Sequence, residues 1–118
     1  MRAELEIVVV DEPDFDPENP ANFGILFQLF AGPEGSGGQE QFQVIVCSPG
    51  WFASHYLGTE TDICMGRHFL FAADYNRQRI ENWIHSYVRN QCTGETWKEV
   101  AEKIGRLGLW EFEDFVAP

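Results

Sequence analysis

The chain has 118 residues, 44% of them hydrophobic and 14% aromatic, and its 19 acids against 8 bases leave a net charge of −11. That length suits one domain over residues 1–118, with a single core and no room for a separate catalytic domain. The charge opposes direct binding of DNA or RNA, where affinity comes mostly from neutralising phosphates, and it opposes anionic membranes for the same reason. A basic protein is the natural partner. The blander alternative is an acidic surface that only keeps the chain in solution.

Ala3, Leu5, Ile7 and Val9 alternate with Glu4, Glu6 and Val8, which predicts a first strand with one solvated side. Asp11 to Pro20 holds three prolines and five acids and is too rich in breakers for regular structure. Phe23, Ile25, Phe27 and Leu29 share one strand face while Leu26 and Phe30 take the other, as in a central strand. Phe42, Val44 and Val46 resume the alternation after the glycine-rich 32–38 loop, so residues 22–47 read as a hairpin. Pro49 ends it, and Trp51 to Tyr56 suit one short helical turn.

A fourth strand is predicted from about Arg67 to Ala73. Asp74 or Asn76 then caps a helix whose Ile80, Trp83, Ile84, Tyr87 and Val88 form an i, i+3, i+4, i+7, i+8 stripe. Cys92-Thr93-Gly94 breaks it. Thr96 and Glu99 make a capping box for a second helix, with Trp97, Val100, Ala101 and Ile104 on one face and Gly108 where it would stop. Strands first and helices last predict an α+β fold: an antiparallel sheet of four or five strands with two C-terminal helices packed on one face.

The start, Met1-Arg2-Ala3-Glu4-Leu5-Glu6, puts carboxylates where the apolar part of a secretory signal would begin. The longest apolar run, Phe69 to Ala73, is far short of the ~20 residues that span a bilayer. Cys47, Cys64 and Cys92 are odd in number and widely spaced, which suits reduced thiols buried as small hydrophobes. A cytoplasmic protein is expected.

Catalytic and metal patterns fail one by one. Asp14-x-Asp16-x-Glu18 resembles the start of a calcium loop, but its sixth and twelfth positions hold Asn19 and Ile25 instead of Gly and Glu, and Pro17 intrudes. The glycine loop lacks the Lys-Ser/Thr of a phosphate-binding loop. The cysteines with His55, His68 and His85 show no paired zinc spacing. Cys64 and His68 are close in sequence, yet Cys64 falls in a loop before the fourth strand. No enzyme activity, metal or cofactor is expected.

The acidic distribution survives this test. Asp11, Glu12, Asp14, Asp16 and Glu18 form one cluster; Glu111, Glu113 and Asp114 form another; Glu60 and Asp62 add a third. In the second cluster the acids alternate with Trp110, Phe112 and Phe115, so aromatics anchor a tail that shows negative charge outward. Arg67-His68 reads as a buried polar clamp: one of the pair points inward and bonds a carboxylate near Trp110–Asp114. Trp83, Trp97, Trp110 and Phe112 read as structural aromatics.

Several of these positions together resemble a known family. Gly66-Arg67-His68, the Asp74-Tyr75 helix start, Trp97-x-x-Val100-Ala101 and Leu107-Gly108-x-Trp110-Glu111-Phe112-Glu113-Asp114 are similar to the immunity protein 8 pattern. Asp16-Pro17-Glu18-Asn19 leading to Asn22-Phe23-Gly24, and Pro49-x-Trp51, fit it as well, so the resemblance runs from about Asp16 to Phe115. Such proteins accompany bacterial polymorphic and contact-dependent inhibition toxins. The resemblance implies a single-domain immunity protein, without catalysis or cofactor, that occludes the active site or substrate surface of a cognate toxin. The net charge makes a basic nuclease the expected toxin, and the two larger acid clusters the expected contact residues. Two alternatives stand beside it: an acidic protein–protein interaction module with no toxin partner, and a small hydrolase using Asp or Glu.

Overall fold

In the computed structural model, which describes residues 1–9, 14–58 and 61–114, the predicted alternation becomes a three-strand meander. It consists of β1 (Ala3–Val9), β2 (Gly24–Pro33) and β3 (Glu40–Cys47). After it come α1 (Pro49–Tyr56), β4 (Phe69–Phe71), α2 (Arg77–Gln91), α3 (Trp97–Ile104) and β5 (Leu109–Trp110). Among the described residues the fold is α+β, with a mixed, mostly antiparallel five-stranded sheet and three helices.

The strand order is β1-β2-β3-β4, and the hairpin register sets Ile7 opposite Leu29 and Gln28 opposite Gln43. The second edge of β3 is shared. β4 runs parallel along Ile45–Cys47, and β5 runs antiparallel along Phe42–Gln43. The strand expected over Arg67–Ala73 is therefore shorter than predicted and parallel to its neighbour. Its start is set by His68, whose φ of 66° is left-handed backbone that a strand cannot contain.

One face of the sheet carries the core. Phe27, Leu29, Phe42, Val44 and Val46 are buried there against Ile80, Ile84 and Val88 of α2 and Val100, Ala101 and Ile104 of α3. Asn76 caps α2 by accepting from the Arg79 amide at 3.1 Å. Thr96 caps α3 by accepting from the Glu99 amide at 3.2 Å, while the Glu99 carboxylate accepts from the Glu95 amide rather than that of Thr96. The helix ends at Ile104, ahead of the expected stop. Gly108 serves a different need: a Cβ there would lie 3.2 Å from the Gln43 carbonyl oxygen, so its lack of a side chain lets the chain approach β3 and form β5.

Among the described residues, the opposite face is covered at one end only. The predicted single turn after Pro49 is a helix of eight residues. Its Phe52 ring packs edge-on against Phe69 and Phe71 at 4.9 and 5.3 Å, and Tyr56 meets Phe69 at 5.0 Å. Trp51 lies over Gly24, where a Cβ would come within 2.2 Å of its ring.

Candidate functional site

Asp11 and Glu12 lie outside the described residues, as does Glu60. Asp14, Asp16 and Glu18 are exposed, on a segment held by its one aromatic. Phe15 packs edge-on against Tyr75 at 5.0 Å, and the Tyr75 amide donates to the Pro20 carbonyl at 2.7 Å. The packing also raises the Tyr75 hydroxyl pKa, chiefly through burial; Arg77 opposes the shift, and Glu81 and Asp16 add to it. The acids are thus presented outward by a segment whose apolar member is anchored.

The second acidic cluster is different in kind. Glu113 receives Arg67 Nη2 at 2.6 Å, and Glu111 Oε2 accepts from the Gln41 amide at 2.8 Å. Asp114 is exposed, at a left-handed φ of 63°. The two clusters also stand apart. Phe15 reaches the sheet through Tyr75 and Phe23, beside Ser48, whereas Glu111 sits at Gln41. From Gln41 to Cys47 the strand rises about 20 Å. They are two surfaces, not one patch.

The Arg67-His68 pair divides as expected, with one correction. His68 points inward, its side chain 12% exposed, and its Nε2 donates to the Gly105 carbonyl at 3.0 Å, while Glu113 is 3.9 Å away. The carboxylate bond is made by the outward member, Arg67. Left-handed backbone at His68, rather than strand alternation, turns the two side chains apart.

The structural aromatics separate into two groups. Trp97 is half-buried and its Nε1 donates to Glu40 at 2.7 Å. Trp110 stacks on Phe42 at 6.2 Å, and its Nε1 is shielded with no hydrogen-bond partner among the described residues. Trp83 and Phe112 are exposed instead, at 49% and 38%. Trp83 falls off the buried stripe of α2 because Ile80, Ile84 and Val88 already fill the line facing the sheet; it stacks on half-buried Tyr87 at 5.3 Å. Phe112 meets Trp110 edge-on at 6.0 Å.

Cys47 and Cys92 are the buried hydrophobes expected, and burial pushes both thiols up to about 11, with Arg106 and Lys103 partly opposing the shift at Cys92. Cys64 corrects that expectation: it is exposed, in the segment before Gly66. His68 is engaged with Gly105, so the residues Cys64 and His68 have unlike surroundings. No group of three or more His, Cys, Asp or Glu placed to hold a metal ion occurs among the described residues. No helix among them is long and apolar enough to cross a membrane.

One further surface escaped the sequence reading. On the sheet face away from α2 and α3, the register aligns Val8, Gln28, Gln43 and Leu109 in a row across four strands. Flanking rows set Leu26 beside Ile45, and Glu6 beside Phe30 and Gln41. The alternation of β2 and β3 was the available signal, because their second apolar set needs a cover, and α1 reaches only the end at Gly24.

No curated protein and no solved structure matches the chain. A family sequence model described as Immunity protein 8 matches residues 3–115. The match takes in the Arg67–Glu113 seam, both capped C-terminal helices and the whole sheet. The chain therefore belongs to the immunity protein 8 family.

Proposed function

We propose that this immunity protein binds a cognate toxin domain of basic character and neutralises it by covering the toxin's active site or substrate surface. The observation that carries the reading is where the charge lies. From Ala3 to Gly66 there is no lysine or arginine, and that stretch holds eleven carboxylates. A carboxylate set against an Arg- or Lys-lined cleft can occupy the positions a nucleic-acid phosphate would take. A nuclease, acting on RNA before DNA, is therefore the toxin favoured. Complementary charge also accelerates capture, toward ~10⁸–10⁹ M⁻¹s⁻¹ at low salt against ~10⁵–10⁶ for neutral pairs.

The protein acts by binding, without chemistry of its own, in the cytoplasm, as one component of a polymorphic or contact-dependent inhibition system. Asp14, Asp16 and Glu18, with Asp11 and Glu12 in the same run of sequence, steer the encounter. Asp114 does so at the other end of the sheet. Glu111 and Glu113 bring carboxylates already held by Gln41 and Arg67.

The test is co-expression with the product of the gene directly upstream. Co-purification as a stable complex, with loss of the toxin's RNA or DNA cleavage, is expected. A toxin that cleaves unimpeded beside this protein sinks the reading and leaves an acidic interaction module without a toxin.

A further inference from the structure

The sheet has two faces, and helices α2 and α3 cover one of them. We propose that the uncovered part of the other face is the surface that grips the toxin, which deepens the toxin-binding reading above and rests on it. The face is built as a lattice by strand register. Its central row runs Val8, Gln28, Gln43, Leu109, and its outer members are 36% and 46% exposed. Leu26, Phe30 and Ile45 bring partly exposed apolar surface to the rows on either side. At the β5 end lies a depression of about 370 Å³ walled by Gln41, Gln43, Leu109, Trp110, Glu111 and Glu113.

This is the anatomy of a protein–protein contact: a centre of apolar and amide groups, depleted in charge, with a charged rim. The rim is predominantly acidic, and exposed Arg67 at its β5 end is already paired with Glu113. Glu4 and Glu6 stand along β1 and Glu111 at β5, and no residue of β1, β2 or β3 is basic. Paired strands fix the backbone of the lattice, so no loop has to be ordered when a partner docks.

Charge selects the occupant. A second copy of this chain would bring carboxylates onto carboxylates, each copy carrying −11. A basic toxin surface, with apolar groups over the central row and Lys or Arg facing Glu6 and Glu111, meets both the apolar centre and the acidic rim. The rival surface is the groove between β4 and α2, where Phe71 and Trp83 are about half exposed. Arg79 lines that groove together with Asp74, so its charge does not select a basic partner.

The experiment uses the full chain and the toxin encoded directly upstream. Gln28→Lys and Gln43→Lys place a cation in the centre of the lattice, and half-buried lysine can extend its ammonium to solvent in the free protein. Val8→Lys does the same at an exposed position, where folding is least disturbed. Trp83→Ala and Phe71→Ala are the contrast. Melting temperature and oligomeric state are recorded for each before toxin affinity is measured by calorimetry.

Each lysine variant should melt like the parent and lose about thirty-fold or more in affinity, the scale of a central contact, while the groove variants change it only a few-fold. The inference is overturned if the lysine variants bind like the parent, if the groove variants carry the loss, or if the parent is a dimer that the lysines split. In each of those outcomes the parent protein still binds the toxin. A parent protein that never holds the toxin is the separate failure of the toxin reading.

Discussion

Arg67 Nη2 and Glu113 Oε1 lie 2.6 Å apart, across the seam where β4 and β5 meet end to end along β3. Beneath them the His68 ring donates to Gly105, the residue that closes α3. A single cluster thus ties the short parallel strand, the end of the last helix and the final strand together. It gives the clamp expected at Arg67-His68 its actual partners, with Arg67 on the Glu113 carboxylate and His68 on the Gly105 carbonyl.

The Arg67–Glu113 pair is solvated, its side chains 54% and 23% exposed. Its coupling in a double-mutant cycle of Arg67→Ala and Glu113→Gln, followed by urea denaturation, should be no more than about 1 kcal/mol. A coupling of several kcal/mol would mean the seam is dry.

Trp110 combines a large apolar contact with a donor that no described residue satisfies. Truncation to Ala removes the stack on Phe42 and should cost about 3 kcal/mol, the low end for core aromatics because the residue is only half-buried. Trp110→Phe keeps a ring and deletes the orphan Nε1–H, whose burial carries a penalty. It should keep most of the stability that Ala loses. Thermal melts of both variants decide it; equal losses would show that the indole nitrogen does find a partner.

Gly24 is fixed by its neighbour and not by its own backbone. Gly24→Ala drives a methyl into the Trp51 ring and should destabilise by about 1–3 kcal/mol, the range for overpacking. Adding Trp51→Ala should make the second change cheaper than it is alone. Additive losses in the double variant would disconnect α1 from the sheet.

The three cysteines should react in two classes. At pH 7.5 one thiol, Cys64, is labelled by a disulfide reagent in the native state, and Cys47 and Cys92 follow only after denaturation. Their folded pKa values, raised from 9.0 to about 11, make the protonated thiol the folded form, so its contribution is complete below pH 9 and is lost as pH climbs toward 11. Tyr75 and Tyr87, also raised by burial, add a loss in the same direction above pH 10. Urea midpoints at pH 8 and 10.5 should therefore fall for the parent and fall less for Cys47→Ala/Cys92→Ala. A pH-independent midpoint would contradict the burial argument.

Toxin association should slow with salt. Raising ionic strength from 0.01 to 0.15 M shortens the Debye length from about 30 to about 8 Å, which removes long-range steering and spares desolvated contacts. Amides at Asp11, Glu12, Asp14, Asp16 and Glu18 should lower the stopped-flow association rate and flatten its salt dependence. Glu95→Gln and Glu102→Gln, exposed on the helical side, should do less. Equal losses from both sets would reduce the acidity to a matter of solubility.

Local spacing is what a sequence writes plainly, and here it was enough for β1, the β2–β3 hairpin, both C-terminal helices and the cap at Thr96, while it left Asp74 and Asn76 as equal candidates for the cap of α2. It was also enough for the family, because the motifs keep their order along the chain. Alternation and helical period depend on neighbours a few residues apart, and so does a cap. Tertiary structure alone decided that β4 is parallel, that Leu109–Trp110 is a strand, and that Trp83 faces outward. It alone decided which acids are taken: Glu113 is bonded 46 residues away, Glu40 by Trp97 57 residues away, and Glu111 to Gln41 70 residues away, while Asp14, Asp16 and Glu18 are left exposed. A carboxylate reads the same in sequence whether it faces water or a distant donor. Only the closing of the sheet around β3 brings those donors within reach.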